Sequence, residues 1–434
     1  MDKMADVLGR AGAWCGQNKY LSAIKNAFQN FMPLTIAGAI GVLWCNVLVN
    51  ESTGLGIFFK PIMALEFLNP AFQAVNFCTI SCITVGITLG IAQEIGVWNM
   101  GAEKAGYIPG LVGLAAWLSV TNTSHMVEGA KEAFTGIAGN ELGATGLFTG
   151  MIIGVLSVEL FCFFEKQDAL KIKMPEQVPP GVARAFEVLV PATITLIITA
   201  CIGSACYNLT GLYLNDVIKN GIQGPLGAVG ATIPGVMIIY LVIMLFWLVG
   251  IHGNNMLSAV KEALFTPLAL ENVEKFNKGE KPTNIINMYF LQMCGEFGGS
   301  GVTIGLVIAI MIFSKREDNR TIAGISLVPG LFNINETVTF GIPMVLNPIL
   351  GIPFVFACLV TILVGYVLTV IGFCPVACLT VPWTTPPIVF GFLATGANVM
   401  GAVTQAILIV VSTVIYVPFL IAYEKYQNKQ AAEA

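Results

Sequence analysis

Few side chains in this sequence can do chemistry, and they gather in four short segments. In LVGIHGNNMLS (248–258), His252 stands between two glycines and is followed by Asn254 and Asn255. Glycine weakens a helix and frees backbone amides, so an imidazole and two carboxamides can meet a ligand there. A turn at a helix end with a surface His is the bland alternative. In VPGLFNINETVTFGIPMVLNP (328–348), Pro329 and Gly330 precede Asn333, Asn335 and Glu336, and Gly341 and Pro343 follow. Two helix breaks flanking a polar centre predict a re-entrant hairpin, which a membrane tolerates only where it is buried in protein or lines a wet cavity. In GEFGGSGVTIG (295–305), glycines around Gly299 and Ser300 allow close backbone approach. Small-residue helix packing, with Glu296 paired to a cation, explains that run equally well. In LTVPWTTPPIVFG (379–391), Trp383 lies among prolines, where its ring can stack on a ligand or sit at an interface.

A His, one carboxylate, several Asn, a Ser and a Trp offer many donors and acceptors with little net charge. That set suits a neutral polyhydroxylated molecule. A hard cation would want more carboxylates. An anion would want Lys or Arg at the site, and none is expected there. No metal site is expected: Cys78/Cys82 and Cys374/Cys378 lie one helical turn apart, and His125 and His252 are the two histidines. No cofactor is expected either.

Composition says what must hold these residues. Only 11% of the chain is charged, against roughly 25% in soluble domains. Apolar residues make up 56%, and mean hydropathy is +0.80. A soluble enzyme, a disordered protein and a nucleic-acid binder are excluded. The chain reads as an all-α, polytopic, inner-membrane-type protein. At roughly 20 residues per span, its 434 residues allow about ten to twelve crossings and no soluble catalytic domain. No cleavable signal peptide is expected, and the first 26 residues read as an amphipathic lead-in.

Apolar runs are expected near 31–49, 70–92, 107–120, 144–164, 185–212, 226–249 and 288–314. Residues 251–272 read as a partial or re-entrant crossing. From Thr337 to Tyr423 there is no charged residue, which leaves room for three spans and re-entrant pieces. The proline-rich loop KIKMPEQVPPGVAR (171–184) separates two near halves. The positive-inside rule puts the N-terminal lead-in, the 166–184 loop, SKREDNR and Lys425/Lys429 in the cytoplasm, and both termini with them. AFQNFMPLTI (27–36) and AFEVLVPATI (185–194) match at five positions, as repeat-built transporters do.

At these residues the sequence resembles the membrane component, enzyme IIC, of the lactose/cellobiose/chitobiose branch of the bacterial sugar phosphotransferase system. The resemblance is carried by AIKNAFQNFMPLTIAGAI (23–40), GLFTGMIIGVLSVELF (146–161), KIKMPEQVPPGVARAFEVLVPA (171–192), WLVGIHGNN (247–255), FGGSGVTIGL (297–306), LFNINETVTFGIPMVLNP (331–348) and VPWTTPP (381–387). It implies about ten transmembrane helices, two re-entrant hairpins and a homodimer in membrane lipid. Residues 1–215 would carry the dimer interface and 216–434 the sugar. His252 and Glu336 would contact the sugar near the hydroxyl to be phosphorylated, as base or orienting groups. Asn254, Asn335, Gly299, Ser300 and Trp383 would complete the site. Phosphate would come from the phosphocysteine of a separate cytosolic enzyme IIB, since no phosphoryl-carrying domain is expected in this chain. The sequence departs from the family at Thr337, where proline often follows the Glu. Two other functional classes remain open on the residues alone. One is a proton-coupled secondary transporter using Glu336. The other is an intramembrane enzyme with Glu/His acid–base chemistry.

Overall fold

A computed structural model describes residues 10, 14, 17–50, 56, 59–125, 134–175, 177–342 and 344–433. Pro343, used above, and most of residues 1–16 of the lead-in lie outside them. The described chain is helical apart from one two-residue antiparallel pair, Ser124–His125 with Phe134–Thr135. Among the described residues, five helices are long and apolar enough to cross a membrane: Lys19–Leu48, Ala144–Glu165, Pro180–Thr210, Gly351–Val370 and Val399–Gln430. Two bent pairs add a span each if each pair crosses as one. They are Lys60–Ser81 with Ile83–Met100, bent by 41°, and Met288–Val302 with Ile304–Phe313, bent by 58°. Ile108–Val120 and Ile233–Leu248 are shorter apolar helices. The protein is therefore an all-α, polytopic membrane protein. Hydrocarbon offers no partner for backbone N–H and C=O groups, so apolar runs satisfy them within helices.

The chain forms two compact units. One comprises residues 17–38 and 75–227; the other comprises 1–16, 39–74 and 228–434. Residues 39–74 thus group with the later part of the chain. Within the first unit, Ala116, Trp117, Val120 and Ile153 form a buried apolar cluster. Pro33 and Pro191, the matched positions of the two similar decapeptides, both lie inside helices. The cationic loop is tied down by charge. The Glu165 side chain, 1% exposed, meets Lys104 Nζ at 2.8 Å and Arg184 Nη1 at 2.9 Å. A carboxylate buried that deeply is tolerable only when paired.

The second unit holds the broken helices. Among the described residues, the uncharged stretch from Thr337 to Tyr423 holds one long helix, Gly351–Val370, and most of a second, Val399–Glu433, where its length alone left room for three. Gly372, Pro375, Pro382, Pro386 and Pro387 keep 371–388 out of helix, and the short helix Val389–Ala394 follows. Gln405, fully buried, anchors that piece. Its Oε1 accepts from the backbone N–H groups of Ile388 and Gly391 at 2.8 and 2.7 Å, and its Nε2 donates to the Met293 carbonyl at 3.1 Å.

Candidate functional site

Three chain breaks in the second unit converge. The first ends the helix Ile233–Leu248. Gly250 adopts φ +83°, which turns the chain, and His252 then caps the short helix Gly253–Met256. The cap fixes the imidazole. The Asn255 N–H donates to the His252 carbonyl at 3.0 Å and also approaches Nδ1 at 3.3 Å; with Nδ1 as the acceptor in that contact, the N–H of a neutral ring is at Nε2. The Trp247 ring packs beside it, with centroids 4.4 Å apart.

The second break closes the helix Glu317–Leu331 after Pro329. The Asn333 N–H donates to the Gly330 carbonyl at 3.1 Å and the Ile334 N–H to the Pro329 carbonyl at 3.0 Å. Asn333 itself sits at φ +64°. This is a Schellman closure with Asn in the left-handed position, a residue type that tolerates it. The chain reverses through Asn335, and Glu336 opens the short helix Glu336–Gly341. Further on, the Leu346 N–H donates to the Leu248 carbonyl at 2.8 Å, joining the return of this hairpin to the end of the first broken helix.

The third break lies between the helices Met288–Gly295 and Ile304–Phe313. Gly299 has φ +87°, and a Cβ there would stand 2.6 Å from Asn335 Cβ, so only glycine lets the two loops approach this closely. Asn335 Nδ2 donates to the Ser300 carbonyl at 2.8 Å, and Asn254 Nδ2 donates to Ser300 Oγ at 2.9 Å.

These ties bring His252, Asn254, Gly299, Ser300, Asn335 and Glu336 into one neighbourhood. His252 Nε2 stands 3.8 Å from Glu336 Oε1, and both side chains are partly open, at 39% and 47% exposure. A donor N–H and an acceptor carboxylate thus face each other slightly too far apart to bond directly, with access for a third group. Trp383 joins through its backbone: Asn333 Nδ2 donates to the Trp383 carbonyl, and to that of Thr385 at 3.0 Å. The Trp383 side chain is half exposed.

Two features were not assigned a role from sequence. Asn333 spends its whole amide on the loops: besides the two donated bonds, its Oδ1 accepts from Gly298 N–H at 2.6 Å. One side chain therefore ties the Glu336 hairpin to both the Gly298 loop and the Trp383 loop. Its place in a helix-closing segment was visible, but its partners are 35 to 52 residues away in sequence and left no local signal. The second feature corrects an expectation. A cation does reach this neighbourhood, because buried Lys261 donates to Asn254 Oδ1 at 3.3 Å. It is neutralised by an ion pair with Glu296, which also accepts from the Tyr240 hydroxyl at 2.7 Å. The pair leaves the neighbourhood's net charge low, in keeping with an uncharged ligand. Spacing held a clue, since Lys261 follows Asn254 by two helical turns.

Comparison with known proteins agrees with this architecture. The sequence model of the phosphotransferase system EIIC family matches residues 25–358. An oligo-beta-mannoside-specific EIIC component from Bacillus subtilis is 33% identical over 98% of this chain and 94% of its own length. A cellobiose-specific EIIC component from Lactococcus lactis is 29% identical over 98% of each chain. Among solved structures, the transporter ChbC, the IIC component of the N,N'-diacetylchitobiose-specific phosphotransferase system, superposes with a TM-score of 0.88. It is 29% identical, and the match covers 97% of both chains. With matches of that extent to sequence and fold alike, the chain belongs to the phosphotransferase system EIIC family, the multi-pass membrane permeases of that sugar-uptake system.

Proposed function

We propose that this permease binds a disaccharide of the cellobiose, diacetylchitobiose or lactose type and presents it to a cytosolic enzyme IIB for phosphorylation during uptake. The observation that carries the reading is the 3.8 Å spacing of His252 Nε2 and Glu336 Oε1. A sugar hydroxyl between them accepts from the imidazole N–H and donates to the carboxylate. Because His252 Nδ1 is occupied by the Asn255 amide, the carboxylate is the acceptor of the pair, and Glu336 is the base. The hydroxyl oxygen attacks the phosphorus of the IIB phosphocysteine. The new O–P bond forms as the S–P bond breaks, the cysteine leaves as thiolate, and the hydroxyl proton passes to Glu336. Asn254, Asn335, Ser300, Gly299 and Trp383 supply the remaining contacts to the sugar. A doubly charged sugar phosphate is costly to hold in hydrocarbon, which favours transfer at the cytoplasmic mouth. The same reading places the protein in the bacterial plasma membrane as a homodimer. It has both termini cytoplasmic, the N-terminal half at the dimer interface and the C-terminal half around the sugar.

Vesicle uptake separates this from proton coupling through Glu336. In right-side-out membrane vesicles loaded with phosphorylated IIB, sugar accumulation is expected to require that IIB, to yield sugar phosphate, and to survive an uncoupler. Accumulation of free sugar without any phosphotransfer protein, collapsing when the proton gradient is discharged, would contradict it.

A further inference from the structure

We infer that Lys261 is a positioning residue of the sugar site: its buried pair with Glu296 holds the Asn254 carboxamide in one orientation and so leaves the Ser300 hydroxyl proton for the ligand. The inference rests on the functional reading above and deepens it. A carboxamide can turn over, exchanging its acceptor and donor ends, unless its neighbours forbid it. An ammonium group has donors alone, so Lys261 Nζ selects Asn254 Oδ1, at 3.3 Å. The NH2 end must then face Ser300 Oγ, at 2.9 Å. That makes Ser300 Oγ an acceptor toward Asn254, and its own O–H is free to donate elsewhere. Asn335 holds the Ser300 backbone from the other side through the carbonyl. The free proton therefore suits an oxygen acceptor on the sugar.

The device holding Lys261 is itself built. The side chains of Lys261 and Glu296 are 7% and 18% exposed, and they form an ion pair. Tyr240 donates its hydroxyl to Glu296, and Lys261 Nζ lies 5.7 Å from the centre of the Tyr240 ring. A buried ion pair contributes little net stability compared with apolar residues of similar size, so its presence beside an amide calls for another role. Without Lys261, the Asn254 amide is free to turn its Oδ1 to Ser300, and the serine proton would be spent within the protein.

The test compares two neutral pairs in the full-length chain, purified in detergent. Binding is measured calorimetrically with whichever of cellobiose, diacetylchitobiose and lactose the wild type binds most tightly. Lys261→Gln with Glu296→Gln keeps a donor for Asn254 Oδ1; Lys261→Met with Glu296→Gln removes it at equal charge. The first is expected to bind within about threefold of wild type and the second about tenfold more weakly, the scale of one hydrogen bond. Adding Lys261→Met/Glu296→Gln to Asn254→Ala is expected to cost nothing further. Equal affinities of the two neutral pairs, or a further loss in the Asn254→Ala background, would overturn the inference and leave the functional reading standing. A wild type that binds none of the sugars, or an Asn254→Ala variant that binds like wild type, would overturn both. If the methionine variant does not purify folded, Asn254→Asp replaces it. That carboxylate accepts from Lys261 but cannot donate to Ser300, and wild-type affinity there would also overturn the inference.

Discussion

Replacing Glu336 by Gln is expected to slow phosphoryl transfer to the sugar by about 100- to 10,000-fold, the range supplied by a positioned general base. Glutamine preserves the shape of the side chain and one oxygen acceptor, so sugar affinity should fall far less. The loss there is about tenfold, as one charge-assisted hydrogen bond becomes a neutral one. The split between rate and affinity is the informative part. It is read by following sugar phosphate formed by saturating phosphorylated IIB in membranes, alongside calorimetric binding to purified protein. A variant with unchanged transfer would remove Glu336 from the chemistry. Loss of binding to the same degree as transfer would make it a binding group and not a base. The direction of the imidazole gives His252 a different signature. With Nδ1 accepting from the Asn255 amide, the proposed role of the imidazole is to donate toward the sugar. Its replacement should therefore weaken binding and transfer together.

Asn333→Asp should be the most damaging substitution that touches no ligand. Aspartate tolerates the left-handed backbone at φ +64° and can still accept from Gly298 N–H. It cannot donate to the carbonyls of Trp383 and Thr385, and its charge faces both oxygens. The bond to Trp383 is exposed and the one to Thr385 part-buried, so water can replace part of what is lost, and a stability loss of about 1–2 kcal/mol is the expectation. Thermal unfolding in detergent checks the stability. Calorimetry at a temperature where the variant is folded should still show weakened sugar binding, because the Trp383 loop is no longer tied to the hairpin. A variant with wild-type melting behaviour and affinity would show that Asn333 does not hold the loops together.

What the sequence revealed and what it hid follow from the range of the forces involved. The membrane class came from composition, because hydrocarbon imposes a requirement that every span must meet. The broken helices were visible for the same reason: Gly250, Pro329 and Gly330 stand out within apolar runs, and the structure turns at each of them. That the described residues between Thr337 and Tyr423 form no third long helix was signalled by prolines. Apolarity alone suggested enough length for another span, and the prolines outweighed it. Partners distant in sequence were another matter. Nothing local to Asn333 announces the Trp383 carbonyl, and nothing local to Lys261 announces Glu296. The sequence could name His252 and Glu336 together through resemblance, but it could not say which was the base. The proposed assignment of the base draws on a contact of the Asn255 N–H with His252 Nδ1, which only the folded chain brings about.

The most direct test of the account is a structure of the wild-type protein with its disaccharide bound. Density for one sugar hydroxyl within hydrogen-bond distance of both the Glu336 carboxylate and His252 Nε2 is the predicted result. A sugar bound with no hydroxyl near either group, or with the imidazole turned to offer a bare nitrogen to it, would contradict the account.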